Sequence, residues 1–215
     1  MMIQKQLFTS AGNSLLAPDN SYIVVTALQS ELPNMAPDRI LFTGVGKVNA
    51  AYVLTRYLTA HPEVKTVINY GTAGKAYNVN KGELVKCTTF LQGDMDCGTL
   101  TGGPGITFGD KDIKSGALHF GDGGAICRTQ DQFVTDLSVL DMFEHLVRYE
   151  KFNVVEMEAY ALAKVCFEME RDFICYKYVS DDADTDDNGE WEENVAKGEP
   201  MFEKVLEEAH GFKRY

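Results

Sequence analysis

Two groups of carboxylates in the second half of the chain could carry out acid–base chemistry. Glu156 and Glu158 stand between a short apolar run and a helical pattern, and Asp181 opens an acidic run that reaches Asp187 after the β-rich segment 173–179. In α/β proteins, ligands collect where strands end and helices begin. A carboxyl group covered by apolar side chains can have a raised pKa and stay protonated, as a general acid requires.

Each of these carboxylates also has a structural explanation. Glu158 at the first turn of a helix interacts favourably with the helix dipole, and most of the acids in 181–187 fit a solvated loop. A cation site is a competing interpretation of this loop, but the segment lacks the glycine and the glutamate of a calcium-binding loop. Glu31, which follows the first predicted strand, could be an ordinary surface glutamate.

Hydrophobic periodicity predicts alternating strands and helices on either side of these carboxylates in the sequence. Strands are predicted at 22–28, 39–43, 64–70, 82–90, 124–127, 154–155 and 173–179. Helices are predicted at 48–60 and 136–148, from residue 159 onward, and within the C-terminal region 190–209. The alternation predicts an α/β fold with helices on both faces of a central sheet. We predict a single domain over residues 1–215, with a polar lead-in segment at 1–20.

Glycines lie at two predicted strand ends and in one loop. Gly44 and Gly46 precede a helix, where the backbone could approach a ligand closely, and a second glycine pair lies in 71–74. The first pair is not a full dinucleotide-binding fingerprint, because Asn49 occupies the position of its third glycine. The glycine-rich loop 98–109 could cover a site or be a plain connector.

Composition and charge argue against several classes of function. The 215 residues carry a formal net charge of -12, which argues against nucleic acid or a membrane surface as the main partner, because both favour basic surfaces. The five cysteines have no CxxC spacing, no signal peptide is evident, and no apolar run approaches the ~20 residues of a membrane span. We therefore predict a cytoplasmic protein. No zinc pattern links the four histidines to cysteines, and we expect neither a metal nor a cofactor.

The segments 154–166 (VVEMEAYALAKVC) and 179–184 (VSDDAD) resemble the nucleoside phosphorylase/nucleosidase superfamily, and within it the bacterial 5'-methylthioadenosine/S-adenosylhomocysteine nucleosidases. Other blocks agree in the same order, at 27–31, 44–48, 69–74, 94–96 and 131–134. The similarity extends over about residues 22 to 210. It implies a three-layer αβα fold with a central mixed β-sheet, and a homodimer in which a neighbouring chain closes part of the pocket.

The resemblance also implies a reaction, cleavage of the bond between N9 of a purine and C1' of a ribose, with a small-molecule purine nucleoside as substrate. It assigns Asp181 as the general acid that protonates N7 of adenine, with Ser180 orienting its carboxyl group. It assigns Glu31 as the base that activates the attacking water, with Thr72 near that water. A protonated acid and an ionised base at one pH require surroundings that separate their pKa values.

The same resemblance implies the residues that bind the substrate. Glu158 accepts hydrogen bonds from the ribose hydroxyls, and Met157 packs beneath the sugar. Phe133 stacks on the purine, and the backbone of Val134 reads the edge of the base. Trp191 stands where the family has an aromatic residue near the 5' substituent.

This sequence departs from the family pattern at several positions. Lys177 stands where nucleosidases commonly have an arginine, Gln130 replaces a glycine, and 97–109 lacks the aromatic residues that often line the 5' pocket. Asn69 occupies a position where phosphorylases have an arginine for phosphate, which favours water as the nucleophile. A phosphate-dependent purine nucleoside phosphorylase and a non-catalytic nucleoside-binding domain remain the alternatives.

Overall fold

Ten strands and four α-helices occur in the part of the chain that the computed structural model describes, residues 15–35, 40–100, 105–107, 116–137, 151–183 and 188–214. The strands are β1 (Leu15–Leu16), β2 (Tyr22–Thr26), β3 (Ile40–Phe42), β4 (Thr66–Lys75), β5 (Leu84–Gln92), β6 (Ala117–His119), β7 (Ala125–Thr129), β8 (Val154–Glu156), β9 (Asp172–Asp181) and β10 (Lys213–Arg214). The helices are α1 (Lys47–Ala60), α2 (Ala159–Glu168), α3 (Asn188–Asn194) and α4 (Glu199–His210). Two short 3-10 helices lie at Gln29–Glu31 and Gly98–Leu100.

Strands β2 to β9 form one mixed sheet that closes on itself. Strand β4 pairs with β9, β9 with β5, β5 with β7, β7 with β8, and β8 returns to β4. Strands β2 and β3 extend this five-stranded ring from β4, and β6 extends it from β5. The ring brings strand ends that are distant in sequence to one place. A separate two-stranded antiparallel sheet joins β1 to β10.

Helices cover both faces of the sheet. On one face α1 and α2 pack against each other, and their Leu54 and Leu162 share a core with Val67 of β4. On the other face, Phe202 of α4 packs with Ile68 in a second core. The neighbours Val67 and Ile68 serve opposite cores because successive strand residues point to opposite faces. The predicted three-layer αβα architecture with a central mixed sheet is confirmed.

Several predicted boundaries are wrong in detail. The strand predicted at 64–70 continues to Lys75 as β4, through the glycine block 71–74, because β8 and β9 pair with that block. Within the segment 1–20, residues 15–16 form β1, which pairs with β10. Strict alternation also fails, because residues 76–83 and 120–124 connect strands without a helix. The C-terminal helical region is two helices, α3 and α4.

Two predicted segments lie partly outside the described residues. The helix at 136–148 falls outside them except for its first two positions, and so do residues 101–104 and 108–109 of the loop 98–109. All five cysteines are free thiols, four of them buried. Among the described helices, none is both long and apolar enough to cross a membrane.

Candidate active site

A cavity of about 410 Å³ lies where the ends of several ring strands meet. This volume is within the range of small-molecule sites in proteins. Eight of the nine residues proposed from the sequence line it, and the ninth, Ser180, hydrogen-bonds the wall residue Asp181. The eight are Glu31, Thr72, Phe133, Val134, Met157, Glu158, Asp181 and Trp191. Residues separated by up to about 160 positions in sequence therefore share one cavity.

Glu31 is held by five hydrogen bonds at the turn after β2. Its Oε2 accepts from Thr26 Oγ1 at 2.7 Å and from the backbone N–H groups of Ala27 at 3.1 Å and Leu28 at 3.0 Å. Its Oε1 accepts from the backbone N–H of Thr72 at 2.8 Å and from Thr72 Oγ1 at 3.1 Å. Glu31 is 4% exposed. Since every partner donates, both carboxylate oxygens act as acceptors, and the side chain is fixed at the cavity wall.

Asp181 is fixed at the end of β9 by its own neighbours. Its Oδ2 accepts from Ser180 Oγ at 2.7 Å, and its Oδ1 accepts from the backbone N–H of Ala183 at 3.0 Å. Ala183 has φ 49, a left-handed conformation that is uncommon for a residue with a side chain. The absence of a side chain at Gly74 of β4 provides the space for this arrangement, because a Cβ there would lie 2.9 Å from Asp181 Oδ1 and 2.7 Å from Ala183 Cβ.

Glu158 precedes the first residue of α2 and accepts from the backbone N–H of Gly46 at 2.8 Å. Burial raises the pKa of Glu158, and the nearby negative charge of Glu156 raises it further, to about 8. The Gly46 amide, at the glycine pair that the sequence suggested for ligand approach, therefore binds a protein carboxyl group. Glu158 is one of four buried acids that line the cavity, and its raised pKa favours the protonated form at neutral pH.

Glu156 and Lys177 form an ion pair beneath the cavity, with Lys177 Nζ 2.8 Å from Glu156 Oε2 and both side chains 1% exposed. Burial acts against both charges, but their mutual attraction prevails. The pKa of Lys177 therefore lies well above its ordinary value and that of Glu156 below it. Glu156 also accepts from Thr129 Oγ1 and from the backbone N–H groups of Glu158 and Ala159. The pair thus fixes the start of α2 and, with it, Glu158.

Lys177 also approaches the first carboxylate. A Cβ placed on Gly71 would lie 3.1 Å from Lys177 Nζ and 3.2 Å from Glu31 Oε1, so the lysine and the glutamate flank the same point of β4. The sequence marked Lys177 as a departure from the family's arginine. In the structure its charge is compensated by Glu156, and its ammonium group lies close to the same glycine of β4 as Glu31 does.

Aromatic and apolar side chains form the rest of the wall. Phe133 and Met157 line the cavity, and Phe133 is 44% exposed at its edge. Trp191 of α3 lines the cavity as well, and its Nε1–H donates to Thr72 Oγ1 at 2.9 Å. A flat purine can stack on such rings, whose faces are apolar and whose edges remain polar.

Lys47, the basic residue of the 44–48 block, forms ion pairs with two carboxylates. Its Nζ contacts Asp94 and lies 3.5 Å from Asp131 Oδ2, while its backbone N–H donates to Asp131 Oδ1 at 2.8 Å. The ion pairs tie the start of α1 to the segment that carries Phe133. No group of three or more possible metal ligands occurs among the residues described.

Sequence reasoning missed several groups that build the site. Glu156 was noticed as an acid, but its pairing with Lys177 was not, although a lysine inside the apolar run 173–179 is a signal that some acid must accompany it. Glu192 and Gln132 also line the cavity. Nothing in their local sequence distinguishes them from surface residues.

Comparisons with known proteins identify the family and the fold. Residues 39–209 match the family model of the phosphorylase superfamily. The chain is 30% identical over 174 residues to the 5'-methylthioadenosine/S-adenosylhomocysteine nucleosidase of Anoxybacillus flavithermus, covering 74% of this chain and 73% of the relative. It is 31% identical over 157 residues to the enzyme of the same name from Bacillus subtilis, covering 66% of this chain and 67% of that relative.

Solved structures resemble the fold over most of the chain. The Streptococcus pneumoniae MTA/SAH nucleosidase in complex with 8-aminoadenine superposes with a TM-score of 0.71 at 18% identity, covering 86% of this chain and 96% of the other. The native futalosine hydrolase of Helicobacter pylori superposes with a TM-score of 0.72 at 15% identity, covering 87% and 97%. Identities this low establish a shared fold and nothing finer.

Proposed function

The chain belongs to the phosphorylase superfamily, and from that premise we propose that it is a purine nucleoside N-ribosyl hydrolase. Its proposed substrates are 5'-methylthioadenosine and S-adenosylhomocysteine, from which it releases adenine. One observation carries the proposal: two separately supported carboxyl groups, Glu31 and Asp181, line the same cavity. Hydrolysis of a glycosidic bond needs one group to protonate the leaving group and another to activate water.

Asp181 is the proposed general acid. As the bond between N9 and C1' breaks, its electron pair moves into the purine, and Asp181 gives its proton to N7 so that adenine leaves as a neutral molecule. Ser180 and Ala183 support this role because they hold the carboxyl group by one hydrogen bond on each oxygen. A fixed carboxyl group loses little entropy when it meets the base.

Glu31 is the proposed base. A water molecule attacks C1' while Glu31 takes one of its protons, and Thr72 lies beside both. The sugar passes through a cation-like state, and the carboxylate of Glu31 favours that charge where it develops. Glu158 and Met157 are the proposed sugar contacts, and Phe133 with the backbone of Val134 the proposed base contacts.

The charge of the cavity favours water over phosphate as the nucleophile. Its lining carries five acids, and no lysine, arginine or histidine stands among the described lining residues. The acids are Glu31, Glu156, Glu158, Asp181 and Glu192. Glu156 is paired with Lys177, the raised pKa of Glu158 favours its protonated form, and Asp181 is the proposed proton donor. A phosphate ion would therefore meet the carboxylate of the proposed base, Glu31, without a cation among the described lining residues. Two lysines near the cavity are already paired, Lys177 with Glu156 and Lys47 with Asp94 and Asp131.

The same charge argument supports a neutral 5' group over a phosphorylated one. A nucleoside 5'-phosphate would bring its charge into a cavity without a basic side chain among its described lining residues, whereas an alkylthio group brings no charge. Trp191 is the proposed contact of the 5' substituent, and its ring provides an apolar surface. Among purine nucleosides, methylthioadenosine therefore fits this cavity better than AMP.

Product analysis tests the proposal. The protein is incubated with methylthioadenosine, S-adenosylhomocysteine, AMP and inosine, each with and without phosphate, and the products are identified by chromatography. We expect free adenine and free sugar from the first two at rates that phosphate does not change. A sugar phosphate that forms only with phosphate would identify a phosphorylase, and the absence of turnover on every nucleoside would identify a binding domain.

We further propose that residues 1–215 form one domain and that two chains form a homodimer in the cytoplasm. Val48 on α1 is 77% exposed, close in sequence to the cavity residue Val45, as expected of an interface that a second chain covers. The free thiols fit a reducing compartment. Val48→Glu should shift the mass measured by light scattering from dimer to monomer, while Ala60→Glu at the far end of α1 should not. A wild-type monomer would refute the dimer.

A further inference from the structure

Trp191, the only tryptophan of the chain, makes a polar contact in addition to lining the cavity. Its Nε1–H donates to Thr72 Oγ1 at 2.9 Å, and Thr72 Oγ1 donates to Glu31 Oε1 at 3.1 Å. Side chains from α3, from β4 and from the turn after β2 thus form a continuous hydrogen-bonded chain. It ends on the carboxylate proposed as the base.

The chemistry of each group sets the direction of this chain. An indole N–H can only donate, and a threonine hydroxyl has a single proton. Because Trp191 occupies an acceptor position on Thr72 Oγ1, the hydroxyl proton points elsewhere, and Glu31 Oε1 accepts it. Without the indole, the hydroxyl could rotate toward other acceptors in the cavity, including the water or the substrate.

The helix that carries Trp191 is itself held in place. Asn194 at the end of α3 donates through Nδ2 to the backbone oxygen of Ser180 at 2.8 Å. Ser180 directly precedes Asp181, so α3 bridges the supports of both carboxyl groups that the proposed reaction uses. A group on this helix has the rigid backing that orientation of another side chain requires.

We propose that Trp191 is a positioning residue for the water-attack step, an inference that rests on the proposed function. The indole N–H orients the Thr72 hydroxyl, and the hydroxyl holds the Glu31 carboxylate where it takes the proton of the water. This role differs from that of an aromatic wall, which any ring of similar size could fill. The N–H matters in the first case and is irrelevant in the second.

A double-mutant cycle tests the proposal. Trp191→Phe keeps a ring but removes the donor, and we expect kcat on methylthioadenosine to fall about three- to tenfold, the usual range for one orienting hydrogen bond, with KM changed less than about twofold. Thr72→Val removes the hydroxyl. The double variant should have a kcat within about twofold of Thr72→Val alone, because no hydroxyl is left to orient. Thr72→Ser, which keeps a hydroxyl, should restore sensitivity to Trp191→Phe.

Several results would overturn the proposal. A raised KM with unchanged kcat in Trp191→Phe would show that Trp191 only contacts the substrate. Multiplicative losses of kcat in the double variant would show that Trp191 does not act through Thr72. In Thr72→Val the intact tryptophan should change its fluorescence emission as it loses its acceptor, and an unchanged spectrum would equally count against the contact. Glu193→Gln, on the exposed side of α3, is the control that should match wild type. Wild-type protein that releases no adenine overturns the proposed function itself, a result distinct from these.

Discussion

The buried carboxyl group of Glu158 should make the protein less stable as the pH rises. The test substitution is Glu158→Gln, which has nearly the same shape and keeps an oxygen that can accept from the Gly46 N–H, now at 2.8 Å. The amide cannot ionise. Any part of the stability that depends on the charge of Glu158 therefore disappears in the variant.

The expected magnitude follows from the pKa of Glu158. The group has a pKa of about 8 in the folded protein instead of the ordinary 4.5, first because it is buried and then because Glu156 is negative. One pKa unit corresponds to about 1.4 kcal/mol, so the full effect on the free energy of unfolding is roughly 5 kcal/mol. This is a large share of the roughly 5–15 kcal/mol that stabilises a typical domain.

The direction is set by which state binds the proton more tightly. The folded protein keeps the proton of Glu158 up to about pH 8, whereas the unfolded chain loses it near pH 4.5. The stabilising contribution is therefore complete below about pH 4.5 and is lost as the pH rises through about 8. Relative to Glu158→Gln, wild type should lose free energy of unfolding between these two pH values.

Urea unfolding at about pH 5 and about pH 9, at one protein concentration, measures this difference. We expect the stability of Glu158→Gln minus that of wild type to increase by several kcal/mol between the two conditions. Glu168→Gln, an exposed glutamate on the same helix α2, is the control whose difference should stay constant. If the stability difference between Glu158→Gln and wild type is equal at both pH values, within about 1 kcal/mol, the raised pKa of Glu158 is refuted.

Three further substitutions test other parts of the site. Asp181→Asn should lower kcat by at least about a hundredfold, the contribution of a general acid, with an unchanged circular dichroism spectrum; near-normal kcat would exclude that role. Lys177→Met leaves Glu156 buried without its cation and should lower the free energy of unfolding, measured with urea, by about 3–5 kcal/mol. A decrease of less than about 1 kcal/mol would contradict the proposed importance of the ion pair. Gly74→Ala places a Cβ 2.9 Å from Asp181 Oδ1 and should lower kcat, whereas unaltered kinetics would show that the acid tolerates displacement.

Local patterns in the sequence were sufficient to predict most strands, the α/β class and the residues at the strand ends. Alternating and helical periodicities depend on neighbours in the chain, which is why β2, α1 and β9 were predicted close to their observed bounds. The resemblance carried by the blocks around Glu158 and Asp181 added the family and the reaction. The comparisons confirm both the fold and the family.

Strand pairing could not be predicted from the same patterns. Strand β4 runs five residues beyond its predicted end because β8 and β9 supply partners for its glycine block. Those partners lie some 80 to 110 positions later in the chain. The closed ring of strands that forms the cavity is a consequence of this pairing, and no local periodicity encodes it.

The sequence by itself determined which residues could do chemistry: acids, hydroxyls and aromatic rings. Only the tertiary structure decided which groups each of them contacts. It paired Lys177 with Glu156, gave Glu158 a pKa of about 8, and connected Trp191 through Thr72 to Glu31. The physical reason is that pKa values and hydrogen-bond direction depend on burial and on partners in space, which chain folding alone brings together.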